Sequence, residues 1–156
     1  MRAAEVAAPT GVALQKGPAV NRLKNFQTLT GLFTFKILTD EKGNEYILYR
    51  SSTIEDLTGI EDKTAFEALE NHVHLLDNIK RKEFKPLSAI GSDLAKALLA
   101  SLKYNFPDKK FVVYVTVHIG EDFIIRFHQQ WEGEPIYMNP DDFNSKKDVK
   151  VIMLQG

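Results

Sequence analysis

Apolar positions along the chain change their period several times, and each change predicts an element. Val20, Leu23, Phe26 and Gln27 fall at helical spacing between Pro18 and Gly31, which predicts a short amphipathic helix leading into the domain. Leu32 to Leu38 and Glu45 to Arg50 are rich in aromatic and β-branched residues. They flank Asp40-Glu41-Lys42-Gly43-Asn44, whose Gly or Asn suits a positive φ, so the two runs predict a hairpin. From Thr64 to about Glu83 the period is helical: at about 100° per residue, Ala65, Leu69, Val73, Leu76 and Ile79 gather on one arc. Lys80, Arg81, Lys82 and Lys85 then cluster at the C-terminal end of that helix, where cations complement its dipole. After Pro86 a second helical pattern runs through Leu87, Ile90, Leu94, Leu98 and Leu102 and stops before Pro107.

Phe111 to Ile119 carries Phe, Val, Val, Val and Ile on its odd positions, and Phe123 to Gln129 repeats the habit after Gly120-Glu121-Asp122. A three-residue turn pairs Ile119 with Phe123. It puts Phe111, Val113, Val115, Val117 and Ile119 on one apolar face with Phe123, Ile125 and Phe127. Tyr114, Thr116, His118, Arg126, His128 and Gln130 then share the opposite face. A two-residue turn would place Arg126 and His128 among the core valines, at a desolvation cost that excludes it. Trp131 to Ser145 holds Gly133, Pro135, Asn139 and Pro140 and reads as an irregular loop, and Val149 to Leu154 reads as a last strand. The order helix, hairpin, two helices, hairpin, strand predicts an α+β fold: a mainly antiparallel sheet of about five strands with two central helices packed on one face. Residues 1–18 read as a flexible tail and 19–156 as a single domain without internal repeats.

Composition narrows the class of function. With 44% hydrophobic and 26% charged residues the chain excludes disorder and a membrane-embedded class, and no apolar run approaches the ~20 residues of a membrane span. The net charge of -1 supplies no global field, so a charged partner must meet a local patch. The absence of cysteine removes disulfides, thiolate zinc sites and thiol nucleophiles and suits a cytoplasmic location. No glycine-rich phosphate loop and no serine elbow is present, so no cofactor is expected. The basic run at Lys80 to Lys85 lacks the stacking aromatics of an RNA-binding module, which argues against a nucleic-acid partner.

His72-Val73-His74 would be a ligand pair on a strand, but the segment reads as helix, where two residues span about 200° and the rings diverge. His72 is then a packed residue, His74 a solvated one, and no metal site is expected. His118, Arg126 and His128 supply the parts of a phosphodiester-cleaving site, in which imidazoles trade protons and a cation steadies the phosphate. In the chosen register Thr116 lies across from Arg126 and Tyr114 across from His128. That leaves the two histidines about 13 Å apart along the strands, too far to share one phosphorus. A one-histidine site built on His128 and Arg126 stays open, beside an ordinary solvated sheet face. Glu132, Glu134, Asp141 and Asp142 crowd the loop that carries Trp131, Tyr137 and Phe143. Either this loop is an interface, with aromatics as anchors and carboxylates for steering, or its aromatics tuck back onto the core.

Residues 127–135, Phe-His-Gln-Gln-Trp-Glu-Gly-Glu-Pro, with Asn139-Pro140-Asp141-Asp142-Phe143, resemble the closing segment of small bacterial immunity proteins that neutralise secreted toxins. The resemblance implies a cytosolic, one-domain α+β protein that plugs the active site of a cognate toxin without catalysis. The strong acidity of many nuclease inhibitors is absent, which speaks against a nuclease target. The expectation is a non-enzymatic protein-binding module whose partner face comprises Tyr114, Arg126, His128, Gln130, Trp131, Glu132, Glu134, Tyr137, Asp141 and Asp142. The alternative is a small hydrolase or phosphodiesterase using His128 and Arg126. The sequence sets no oligomeric state.

Overall fold

The computed structural model of the chain describes residues 28–156; the tail expected over residues 1–18 and positions 20–27 of the helix expected between Pro18 and Gly31 lie outside the described residues, which begin with helix at residues 28–31. The first hairpin forms as expected. Strand β1 (Phe35–Thr39) pairs antiparallel with β2 (Glu45–Tyr49), Phe35 standing opposite Tyr49. Asp40 fastens the turn: its Oδ1 accepts from the Lys42 and Asn44 amides at 2.9 and 2.8 Å, and its Oδ2 accepts from Asn44 Nδ2. Gly43 takes φ 83°, a conformation that a side chain would strain.

The long helix expected from Thr64 to about Glu83 is instead three elements: α1 (Lys63–Glu70), strand β3 (His72–Asp77) and the first turn of α2 (Arg81–Asn105). Leu69, Val73, Leu76 and Ile79 fit helical spacing, yet Val73 and Leu75 turn inward while His72, His74 and Leu76 stay exposed, the alternation of a strand. Helix α1 stops at Asn71 because the buried Asn71 amide is engaged elsewhere: Oδ1 accepts from the Tyr49 amide at 2.9 Å and Nδ2 donates to the Ile47 carbonyl at 2.8 Å. The second helix starts five residues ahead of Pro86, its first turn closed by the Lys80 amide donating to Glu83 Oε2 at 2.8 Å, and it ends before Pro107 as expected. The basic cluster therefore sits at the N-terminal end of α2, where the dipole opposes it. Arg81 there pairs with Asp148 at 2.6 Å.

The second hairpin consists of β4 (Phe111–His118) and β5 (Asp122–Gln129), with β6 (Val149–Gln155) on the far side of β4. Its register differs by two residues from the expected one: Val117 faces Phe123, Tyr114 faces Arg126 and Val112 faces His128. The larger turn is held by tertiary bonds, from the Gly120 amide to the Ile79 carbonyl at 2.8 Å and from the Ile119 amide to the Asp148 carbonyl at 2.9 Å. A shift of two keeps every side chain on its predicted face. Among the described residues the result is six strands in two antiparallel sheets, β1-β2 and β3-β5-β4-β6, in place of about five in one. Among the described residues no helix is long and apolar enough to cross a membrane.

Phe111, Val113, Val115, Phe123, Ile125 and Phe127 line the inner face of the larger sheet and pack with Ala95, Leu98 and Leu102 of α2 and with Ile47 and Tyr49 of the small hairpin. Helix and sheet come close at Gly91, where a Cβ would stand 2.7 Å from Val115 Cγ1. Only glycine permits this separation without displacing the valine. The outer face is covered as well: Val112, Tyr114, Val149 and Val151 are buried there under Tyr137, Met138 and Phe143 of the 131–145 segment.

Candidate functional site

Helix α1 organises the polar centre of the molecule through an inverted face. Its buried positions are Thr64, Glu67 and Ala68, while Leu69 is 53% exposed. Glu67 is fully buried and its carboxylate accepts four bonds: from the Ile47 amide at 2.9 Å, the Gln129 amide at 2.7 Å, Gln129 Nε2 at 2.6 Å and Trp131 Nε1 at 3.1 Å. Gln129 Nε2 also reaches the Glu45 carbonyl at 2.8 Å. Together with Asn71, these side chains stand where a further strand would lie between β2 and β5, and they pair backbone groups that burial would otherwise orphan. Burial pushes the Glu67 carboxyl up to about 7, while the Gln129, Ile47 and Trp131 donors pull against it.

The loop begins at this centre. Trp131 packs on Tyr46, with ring centroids 5.3 Å apart, and lies under the Lys63 ammonium at 5.0 Å. Glu134 accepts from the Thr64 amide at 2.7 Å and pairs with Lys63 at 3.2 Å, placing a carboxylate at the N-terminus of α1. Partial burial raises the Glu134 carboxyl, but the bonds from Thr64 and Lys63 outweigh it and hold the group below its ordinary value.

Farther along, the loop closes over His128 and Tyr114. Both are buried, His128 at 1% exposure, so the polar sheet face expected to meet solvent lies beneath the loop. His128 Nδ1 stands 2.6 Å from the Gln129 carbonyl, and Nε2 faces the Tyr114 hydroxyl at 3.3 Å and the Tyr137 amide at 3.4 Å. The neighbours assign the tautomer: Nδ1–H donates and Nε2 accepts. Burial lowers the imidazole pKa, which keeps this neutral form. Tyr114 in turn accepts from the Met138 amide at 3.4 Å. Arg126 lies half-buried over the Tyr137 ring at 5.3 Å, across the sheet from Tyr114. At the end of the loop comes α3 (Asp141–Asn144), whose Asn144 side chain pairs with both the amide and the carbonyl of Val151, at 2.8 and 3.0 Å.

The residues expected to form one partner face thus divide. Tyr114, His128, Trp131, Glu134 and Tyr137 point into the fold and fasten the loop, while Gln130, Glu132, Asp141 and Asp142 remain exposed. Phe143 tucks back onto the core, as one of the two readings of the loop anticipated. His118 pairs with Glu121 at 2.7 Å and has no contact with His128. Sequence reasoning missed Glu67, Asn71 and Gln129, because their partners are backbone atoms of a distant hairpin. One signal was present: Thr64, Glu67, Ala68 and Asn71 recur at i, i+3, i+4 and i+7, a helical face made of polar and small residues.

Two cavities open elsewhere. One, of about 410 Å³, lies between the β1–β2 turn and residues 55–61 and is bordered by Asp40, Glu41, Glu55, Asp56 and Glu61. The other, of about 360 Å³, is lined by Leu76, Ile79, Pro86 and Leu87. Neither includes His128 or Arg126. Comparison of the chain with protein-family models, with curated proteins and with solved structures found no match.

Proposed function

We propose that the chain is a non-enzymatic protein-binding module that presents residues 130–142 as a pre-shaped acidic surface to a basic patch on a protein partner. The observation that carries this reading is the fastening of an irregular loop at four places: Trp131 to Glu67, Glu134 to the α1 N-terminus, Tyr137 and Met138 to the His128–Tyr114 pair, and Asn144 to Val151. A long loop without regular structure is usually either functional or disordered, and buried polar groups commit this one to order. Gln130, Glu132, Asp141, Asp142 and the half-exposed Ile136 are left facing outward. A surface ordered in advance avoids the entropy cost of ordering on association, and its carboxylates steer a basic partner.

The resemblance of residues 127–143 to toxin-immunity proteins supports a toxin as that partner, bound at its active site by the outward side of the loop. The hydrolase reading draws no support from His128, since both of its ring nitrogens are engaged inside the protein. The test compares capture from the source cell's lysate by the wild-type chain and by a Glu132→Lys, Asp141→Lys, Asp142→Lys variant, with bound proteins read by mass spectrometry. A partner held by the wild type and lost from the variant supports the reading. A partner held equally by both places binding on another surface.

A further inference from the structure

His72 and His74 take no part in the binding surface described above. They stand two residues apart on β3, an edge strand of the larger sheet, and alternate residues of a strand share a face. Both side chains are exposed and their ring centroids are 5.4 Å apart. The helical geometry that would have separated the two rings is absent.

Each ring has an acceptor on its Nδ1 side. His72 Nδ1 is hydrogen-bonded with the Leu69 carbonyl at the end of α1. His74 Nδ1 faces Asp122 Oδ2 at 3.5 Å and Asp77 Oδ1 at 3.9 Å. An imidazole whose Nδ1–H is directed at a carbonyl or carboxylate keeps its lone pair on Nε2, the arrangement by which ligating histidines are oriented. Two imidazoles bound through nitrogen to one tetrahedral zinc ion, with Zn–N of about 2.0 Å, have ring centroids roughly 5 Å apart. The observed centroid spacing of 5.4 Å is close to that value.

The geometry points to a divalent transition-metal site of the Zn²⁺ or Ni²⁺ class, in which His72 and His74 bind the ion through Nε2 and water fills the remaining positions. Asp122 and the Leu69 carbonyl act as orienting partners. Among the described residues no group of three or more histidines and carboxylates converges on one point, so no third protein ligand joins the pair. Imidazole nitrogen selects borderline ions over Mg²⁺ and Ca²⁺, which prefer oxygen donors. Arg126, opposite His72 on β5, is the nearest cross-strand cation, and its guanidinium lies over Tyr137.

Isothermal titration of Zn²⁺ and of Ni²⁺ into the chelator-stripped full chain at neutral pH tests the assignment, with histidine-ring NMR shifts read in parallel. Saturable binding of one ion per chain is expected, with the ring signals of His72 and His74 moving and those of His118 and His128 unchanged. His72→Gln and His74→Gln should each weaken binding by at least about tenfold, and Asp122→Asn by a smaller factor in the same direction. His118→Gln should leave it intact. Since both ligands are exposed, the variants should melt at the wild-type temperature in the presence of chelator, which separates loss of a ligand from loss of the fold. Absence of saturable binding, or binding that survives both histidine substitutions, would overturn the site.

Discussion

The inner face of the four-stranded sheet is sealed by the apolar side chains of α2, whereas the outer face is sealed by an irregular loop that adds polar contacts to a smaller apolar cluster. The first kind of burial is non-directional and scales with area; the second depends on particular atoms finding particular partners. Removing a side chain from the inner face should therefore cost global stability. Removing one from the outer face should mainly free the loop.

The largest effect is expected on the inner side. Phe127 is fully buried against Phe35, Tyr49 and Phe111, and Phe127→Ala should cost about 3–5 kcal/mol in urea unfolding. A loss under 1 kcal/mol would mean that the inner face is not the main source of stability.

Next comes Glu67, where the polar centre joins the two sheets. Its folded pKa of about 7 lies above the ordinary 4.5, so the folded state retains a proton that the unfolded chain has released. The stability it contributes is full below about pH 4.5 and is lost as pH rises to about 7, by roughly 3 kcal/mol at most. His128, whose pKa is depressed by burial, works in the opposite direction: its contribution is present above the ordinary imidazole range and is lost as pH falls below it. Subtracting the unfolding free energy of Glu67→Gln from that of the wild type across this range isolates the carboxyl. The difference should fall with rising pH, and a difference that stays flat would show that Glu67 titrates as an ordinary carboxylate.

Gly91→Ala should follow at about 1–3 kcal/mol, since the new methyl group meets Val115 Cγ1 at 2.7 Å. Pairing it with Val115→Ala should recover part of the loss; two simply additive losses would argue against that clash. The smallest change in global stability, about 1 kcal/mol, is expected for Tyr114→Phe on the outer side. Its signature should be a larger acceleration of hydrogen exchange at the Tyr137 and Met138 amides than at those of Val113 and Ile125, which follow only the global loss. Equal acceleration at all four sites would erase the distinction between the two faces.

The same distinction explains what was legible in the sequence. Both hairpins and the apolar face of β4 and β5 could be read directly, because a period of two in valines and phenylalanines has one burial solution. The register could not, because the amides of Ile119 and Gly120 are held by the Asp148 and Ile79 carbonyls, which are remote in sequence. The segment 64–83 misled because leucines at positions 69 and 76 satisfy a helical wheel yet are exposed in the fold, while Glu67 and Asn71 are buried. A charged residue reads as solvated unless its partners are known, and those partners lie on β2 and β5. For the same reason the outer face read as wet: nothing local to Tyr114 or His128 says that a loop will cover them. The His72–His74 pair became readable as a ligand pair only once β3 was a strand.

The central claim, that residues 131–145 are built into the fold as a fixed surface, is tested most directly by native-state hydrogen exchange at the Trp131 indole N–H, the donor to Glu67 and a probe of the chain's single tryptophan. Exchange only through global unfolding is expected, with an opening free energy that falls with denaturant in parallel with that of the inner-face amides. Exchange through a local opening that is insensitive to denaturant would contradict it, and the loop would then be ordered only by its partner.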